Sequence, residues 1–100
     1  MTNKQLKHIQ SLLGLSALNI TFKAHDSQFK TSLGECWGLC TAMNNEYRID
    51  YTYSNDHRKA VKTLLHELCH VFQFENDREL CCVNADIFAD DMIDYILGEL

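Results

Sequence analysis

The segment "DHRKAVKTLLHELCHVFQF", Asp56 to Phe74, constrains the fold of this chain more than any other stretch. Wound as a helix at about 100° per residue, it gathers Val61, Leu64, Leu65, Leu68 and Phe72 into one apolar stripe. Such a helix has to lie against a core. "SND" ahead of it supplies a cap, and "END" (Glu75 to Asp77) after it supplies a break. His66 and His70 fall near the side opposite the stripe, about 40° apart on consecutive turns.

Two imidazoles stacked in this way can bind one tetrahedral metal ion. Glu67 lies about 100° around from His66. It cannot easily reach the same ion, but it can reach a water bound to it, which is the placement of a general base. Shuffling a chain of this composition yields roughly 0.015 matches to H-E-x-x-H, so the motif is informative once it sits on a helix. The plainer alternative is a solvated pair of histidines on a surface helix.

The rest of the chain supplies what that helix packs on. "MTNKQLKHIQSLLGL" reads as a first helix with apolar positions Leu6, Ile9, Leu12 and Leu13, closed by Gly14. "LNITFKAH" (Leu18 to His25) is rich in β-formers and predicts a strand. "DSQFKTSLGE" reads as a polar connection. "CWGLCTAM" (Cys36 to Met43), the turn signal "NNE" and "YRIDYTY" (Tyr47 to Tyr53) predict a hairpin. A last helix is expected from Arg78 to Leu97, with Ala85, Phe88, Ala89, Met92 and Ile96 on its apolar side. The chain has no proline, so Gly, Asn, Asp and Ser must end its elements. Helix, three strands, helix, helix predicts one α+β domain over residues 1–100, with an antiparallel or mixed three-stranded sheet.

Composition narrows the function classes. A net charge of −5, with no dense basic cluster, argues against nonspecific nucleic-acid binding, and no nucleic-acid partner is evident. No apolar run approaches the ~20 residues of a membrane span, and the N-terminus lacks the features of a signal peptide. Five cysteines without an export signal fit reduced thiols in the cytoplasm.

The order of elements, together with "GECWGLCTAMNNEYRIDYTY" and "TLLHELCH", resembles the minimal zincin metallopeptidases, similar to small SprT-like and phage-type domains. The resemblance covers about residues 18–95, and its specific part is H-E-x-x-H. It implies a zincin-like fold, a Zn²⁺ cofactor held by His66 and His70, Glu67 as general base, and hydrolysis of peptide bonds in a protein or peptide substrate. The same scaffold with little or no activity would be a protein-binding module, and a metal protein of another kind could use the same helix.

A catalytic zinc takes a third protein ligand. SprT-like proteases use a histidine downstream, and this chain has none after His70. A gluzincin-like carboxylate from the last helix is therefore expected. With a tight turn at "END", the two helices form an antiparallel hairpin in which His66 lies level with Asp86 and His70 with Cys82. Asp86 is the preferred third ligand. Glu79 follows, about 5 Å too near the turn on a helical rise, and prevails if the first helix ends soon after His70. Cys82 ranks third. Glu79, Asp86 and Asp90 would share one face, while Asp91 and Asp94 are expected to be solvated. "NADIFA" (Asn84 to Ala89) is similar to the "E-A-N-x-F-A" of some zincins, but the family glutamate falls on Asn84, a poor ligand.

Cys36 with Cys40, and Cys81 with Cys82, lack the C-x-x-C spacing of a structural zinc site and read more simply as small apolar residues. Cys69 is expected in the core. Tyr47, Tyr51, Tyr53 and His57 are candidate oxyanion donors, the strand "CWGLCTAM" or "NITFKAH" is the candidate substrate edge, and Trp37 reads as core or pocket wall.

Overall fold

The computed structural model describes residues 1–31 and 34–100, and within them the chain is an α+β structure. Helix α1 (Asn3–Leu12) starts at a capping box in which Thr2 and Gln5 bond each other's backbone N–H. It ends where Gly14 takes a left-handed φ of 73° and the N–H of Leu15 reaches back to the Gln10 carbonyl. Strand β1 (Ile20–His25) follows, then β2 (Phe29–Thr31), β3 (Gly34–Cys36), β4 (Gly38–Met43) and β5 (Glu46–Thr52). Helices α2 (His57–Glu75) and α3 (Cys82–Glu99) complete the chain.

The main sheet is mixed, in the order β1-β5-β4. β5 runs parallel to β1 and antiparallel to β4, to which it is joined by a turn with Asn45 at a φ of 57°. The expected hairpin is therefore present. The segment read as a polar connection contains a second, two-stranded sheet of β2 and β3, and Cys36 belongs to β3 rather than to the strand starting at Gly38. Three-residue strands are too short for a periodic signal in sequence. Ser32 and Leu33, part of that connection, lie outside the described residues.

The core forms where α2 lies on the sheet. Tyr47, Ile49 and Tyr51 alternate on one face of β5 and meet Val61, Leu64, Leu65, Leu68 and Val71 of α2, with Leu6 and Ile9 of α1 in the same cluster. α3 covers another side of α2 with Ala85, Ala89, Ile93 and Ile96, all at most 1% exposed. On the other face of β5, Asp50 is buried and held by Arg48 and by the His25 ring of β1 at 2.8 Å. Burial alone would raise the Asp50 carboxyl, yet these two partners hold it below its usual value.

α2 ends at Glu75, close to expectation. Asp77 occupies the left-handed position (φ 52°), and the N–H of Arg78 and of Asp77 bond the carbonyls of Gln73 and Phe74. α3 then begins at Cys82 rather than Arg78. Residues 78–81 are outside any helix, which removes Glu79 from the face expected to carry it.

Leu64 is fully buried between sheet and helices. Leu64→Ala should lower unfolding stability by about 3 kcal/mol, read as a fall in the urea midpoint at unchanged slope. A loss below about 1 kcal/mol would contradict this packing.

Candidate metal centre

The antiparallel seam between α2 and α3 has a regular register. Arg58 pairs with Asp94 at 2.8 Å, Lys62 with Asp90, and His66 with Asp86 at 2.7 Å. One turn further on, His70 Nε2 lies 3.9 Å from Cys82 Sγ. Each rung is four residues on along α2 and four back along α3, so the levels expected for His66 and His70 are present. Asp94, expected to be solvated, is 83% exposed in its side chain but reaches across to Arg58.

Among the described residues, one group of three donors converges: an atom each of His66, His70 and Cys82, all within 4.8 Å of one another. A tetrahedral ion bound at ordinary zinc distances separates an imidazole nitrogen from a thiolate sulfur by about 3.6 Å. The His70–Cys82 separation of 3.9 Å is close to that, so this group can hold a metal ion. The two rings lie with centroids 4.9 Å apart and planes at 81°.

The outer partners fix which nitrogen is free. A carboxylate only accepts, so the Asp86 contact puts the proton on His66 Nδ1. The Gln73 amide oxygen accepts from His70 Nδ1 at 2.7 Å. In a neutral ring these contacts leave Nε2 as the nitrogen open to a metal, the arrangement in which metal-binding histidines are held by acceptors behind them. Asp86, the preferred third ligand, thus sits behind His66, while Cys82 faces His70. Glu79 lies away from the group and lines a different cavity with Phe72, Gln73 and Cys81. α2 runs on past His70, so the condition that favoured Glu79 is not met.

The polar side of α2 is more deeply buried than its periodicity implies. His70 is 7% exposed and Glu67 is 6% exposed, because α3 and β4 cover them. Glu67 lies against the start of β4, where its Oε2 is 2.8 Å from the place a Cβ on Gly38 would occupy. The absence of that atom lets helix and strand approach. Burial raises the Glu67 carboxyl to about 7; the Asp86 charge adds to the rise, and a hydrogen bond from the Cys40 backbone opposes it.

A cleft of about 490 Å³ opens here, with Trp37, Lys59, His66, Glu67 and Asp86 in its walls. Trp37 is 48% exposed, with the Lys59 ammonium 4.5 Å from its ring centroid, so it is a cleft wall rather than core. β4 flanks the cleft and, among the described residues, lies at an edge of the main sheet beside β5. None of the four candidate oxyanion donors lines this cleft. The Tyr47 hydroxyl donates to Glu75, Tyr51 is buried in the core, and Tyr53 and His57 line other cavities. Cys40 is buried with its thiol pushed up to about 12, chiefly by desolvation, and Cys69 is buried on α2. Sequence reasoning missed Gln73 and Gly38, since a lone glutamine and a lone glycine carry no motif.

The sequence matches no protein-family model, and no curated protein or solved structure matches it. No helix among the described residues is long and apolar enough to cross a membrane.

Two outcomes are expected. Zinc affinity should fall further in Cys82→Ser than in Asp86→Asn, where the outer partner accounts for about 10- to 100-fold. A chelator competition titration reads both, and the reverse order would make Asp86 the ligand. In metal-free protein, Glu67 ionises near 4.5 when unfolded and about 7 when folded. The stability it contributes while protonated is fully present below 4.5 and lost as pH rises through about 7. Glu67→Gln should therefore gain roughly 3 kcal/mol on the parent between pH 4 and pH 8. A pH-independent difference in urea melts would contradict the burial of this acid.

Proposed function

We propose that this protein is a zinc-dependent peptidase acting on protein or peptide substrates, with His66, His70 and Cys82 as zinc ligands and Glu67 as general base. One observation carries the reading. The Glu67 carboxyl is buried in the wall of a cleft that also contains His66, beside three converging metal donors. Two imidazoles and a thiolate in this arrangement suit tetrahedral zinc.

When bound, the metal polarises the scissile carbonyl and activates water for attack. Glu67 takes the proton from the attacking water and passes it to the leaving amine. The Cys40 backbone and the bare Gly38 hold that carboxylate against β4. Gln73 keeps the His70 ring turned with Nε2 towards Cys82, and Asp86 holds the His66 ring at Nδ1. Trp37 and Lys59 border the path by which a peptide enters. All five cysteines are free thiols, which fits work in the reducing cytoplasm.

A second reading, a module that binds a peptide without cutting it, draws on the depth at which Glu67 is packed behind Gly38. Zinc-loaded protein incubated with unfolded protein substrate separates the two. Glu67→Gln should keep one zinc per chain and lose cleavage by about 10²- to 10⁴-fold. Cleavage by the variant at the parental rate would refute the general base. Zinc-loaded parent that binds the substrate but leaves it intact would establish the second reading.

A further inference from the structure

We infer that Gln73 is a positioning residue that delivers Cys82 to the metal and so decides the third ligand; the inference rests on the metal centre proposed above. The start of α3 has little of its own to hold it. Its N-cap is Cys81, which makes no side-chain cap hydrogen bond, and its first turn carries no acidic residue. The segment before it, residues 78–81, has no regular structure. Ala85 is packed in the seam, and ahead of it the backbone is held by one side chain from α2. The Gln73 amide oxygen accepts from the Cys81 N–H at 3.2 Å, and its Nε2 donates to the Cys81 carbonyl at 3.2 Å. A single amide thus clamps both backbone polar groups of the residue preceding Cys82, as a neighbouring strand would.

The same oxygen accepts from His70 Nδ1 at 2.7 Å. Gln73 is 7% exposed, so these bonds are shielded from competing water. One buried side chain therefore sets the ring of one ligand and the backbone position of another, and the two face each other at 3.9 Å. Asp86, one turn further along α3, is held by His66 whether or not the clamp exists. With the clamp removed, Cys81 and Cys82, which precede the buried Ala85, are free to drift while Asp86 stays within reach. The centre then shifts from a sulfur-containing donor set to one of nitrogen and oxygen. A glutamate at this position would still accept from His70 and from the Cys81 N–H, but could not donate to the Cys81 carbonyl. The neutral amide is thus the group that satisfies all three partners.

The test uses Co²⁺ as the probe, because a bound thiolate gives a near-ultraviolet charge-transfer band that nitrogen and oxygen ligands do not. Parent protein should take up one Co²⁺ and show the band, and Cys82→Ser should abolish it. Gln73→Leu, which keeps the bulk, and Gln73→Asn, which keeps the amide but is too short to span, should each lose more than half of the band intensity. Their affinity for the ion should fall about 10- to 100-fold. Far-UV circular dichroism identifies which variant has folded, and either folded variant suffices. A parental band and affinity in such a variant would overturn the role of Gln73 while leaving the centre intact. A parent that binds no Co²⁺, or binds it without the band, would overturn the donor set on which the inference stands.

Discussion

The seam between α2 and α3 is the constraint on which the site depends. These two helices pack from the Arg58–Asp94 rung to the His70–Cys82 contact. Ala85 and Ala89, both almost completely buried, let α3 lie close to the side of α2 that the sheet leaves open, and Ile93 and Ile96 extend the buried seam. Apolar packing provides the stability, because the rungs from Arg58–Asp94 to His66–Asp86 are largely solvent-exposed pairs of small individual worth. The rungs instead fix level. Sliding one helix by a turn would put His66 against Asp90 and leave Cys82 without a partner. Three donors on two helices meet only because the register is right along the whole seam.

The second consequence of that packing concerns the acid. A glutamate on an isolated helix would be solvated and ionised. Here Glu67 is closed in by β4 on one side and by α3 on another, and the strand can come close only because residue 38 has no side chain. Desolvation makes the carboxyl a better proton acceptor at neutral pH, and Asp86 strengthens the effect while serving His66. The arrangement joins two roles. The carboxylate behind the histidine also tunes the acid beside it, so the candidate metal centre and the buried acid are built from one set of contacts.

Much of this was legible in the sequence, for physical reasons that can be named. The apolar stripe of α2 and the turn signal at Asn44 and Asn45 specify local structure directly. So does the pairing of His66 with Glu67 and His70, which a helix places by rotation alone. Even the inter-helix levels followed from one assumption about the turn. What did not follow was anything decided by contacts between distant segments. The stretch from Arg78 to Cys81 has ordinary helix-forming residues, yet Asp77 in the left-handed conformation and the Gln73 amide on the Cys81 backbone keep it out of the helix. That single difference removed Glu79 from the site and moved Cys82 to the first residue of α3. The burial of His70 and Glu67 was hidden in the same way, since periodicity identifies the side facing the sheet but not a second side covered by another helix. The short sheet of β2 and β3 left no pattern long enough to read.

The proposed centre requires one metal ion held by nitrogen from two turns of α2 and by sulfur from the start of α3. X-ray absorption at the zinc edge of the zinc-loaded protein tests it most directly. A single sulfur neighbour at about 2.3 Å together with two imidazole nitrogens at about 2.0 Å is expected. A first shell containing only nitrogen and oxygen, or protein that retains no zinc, would contradict it.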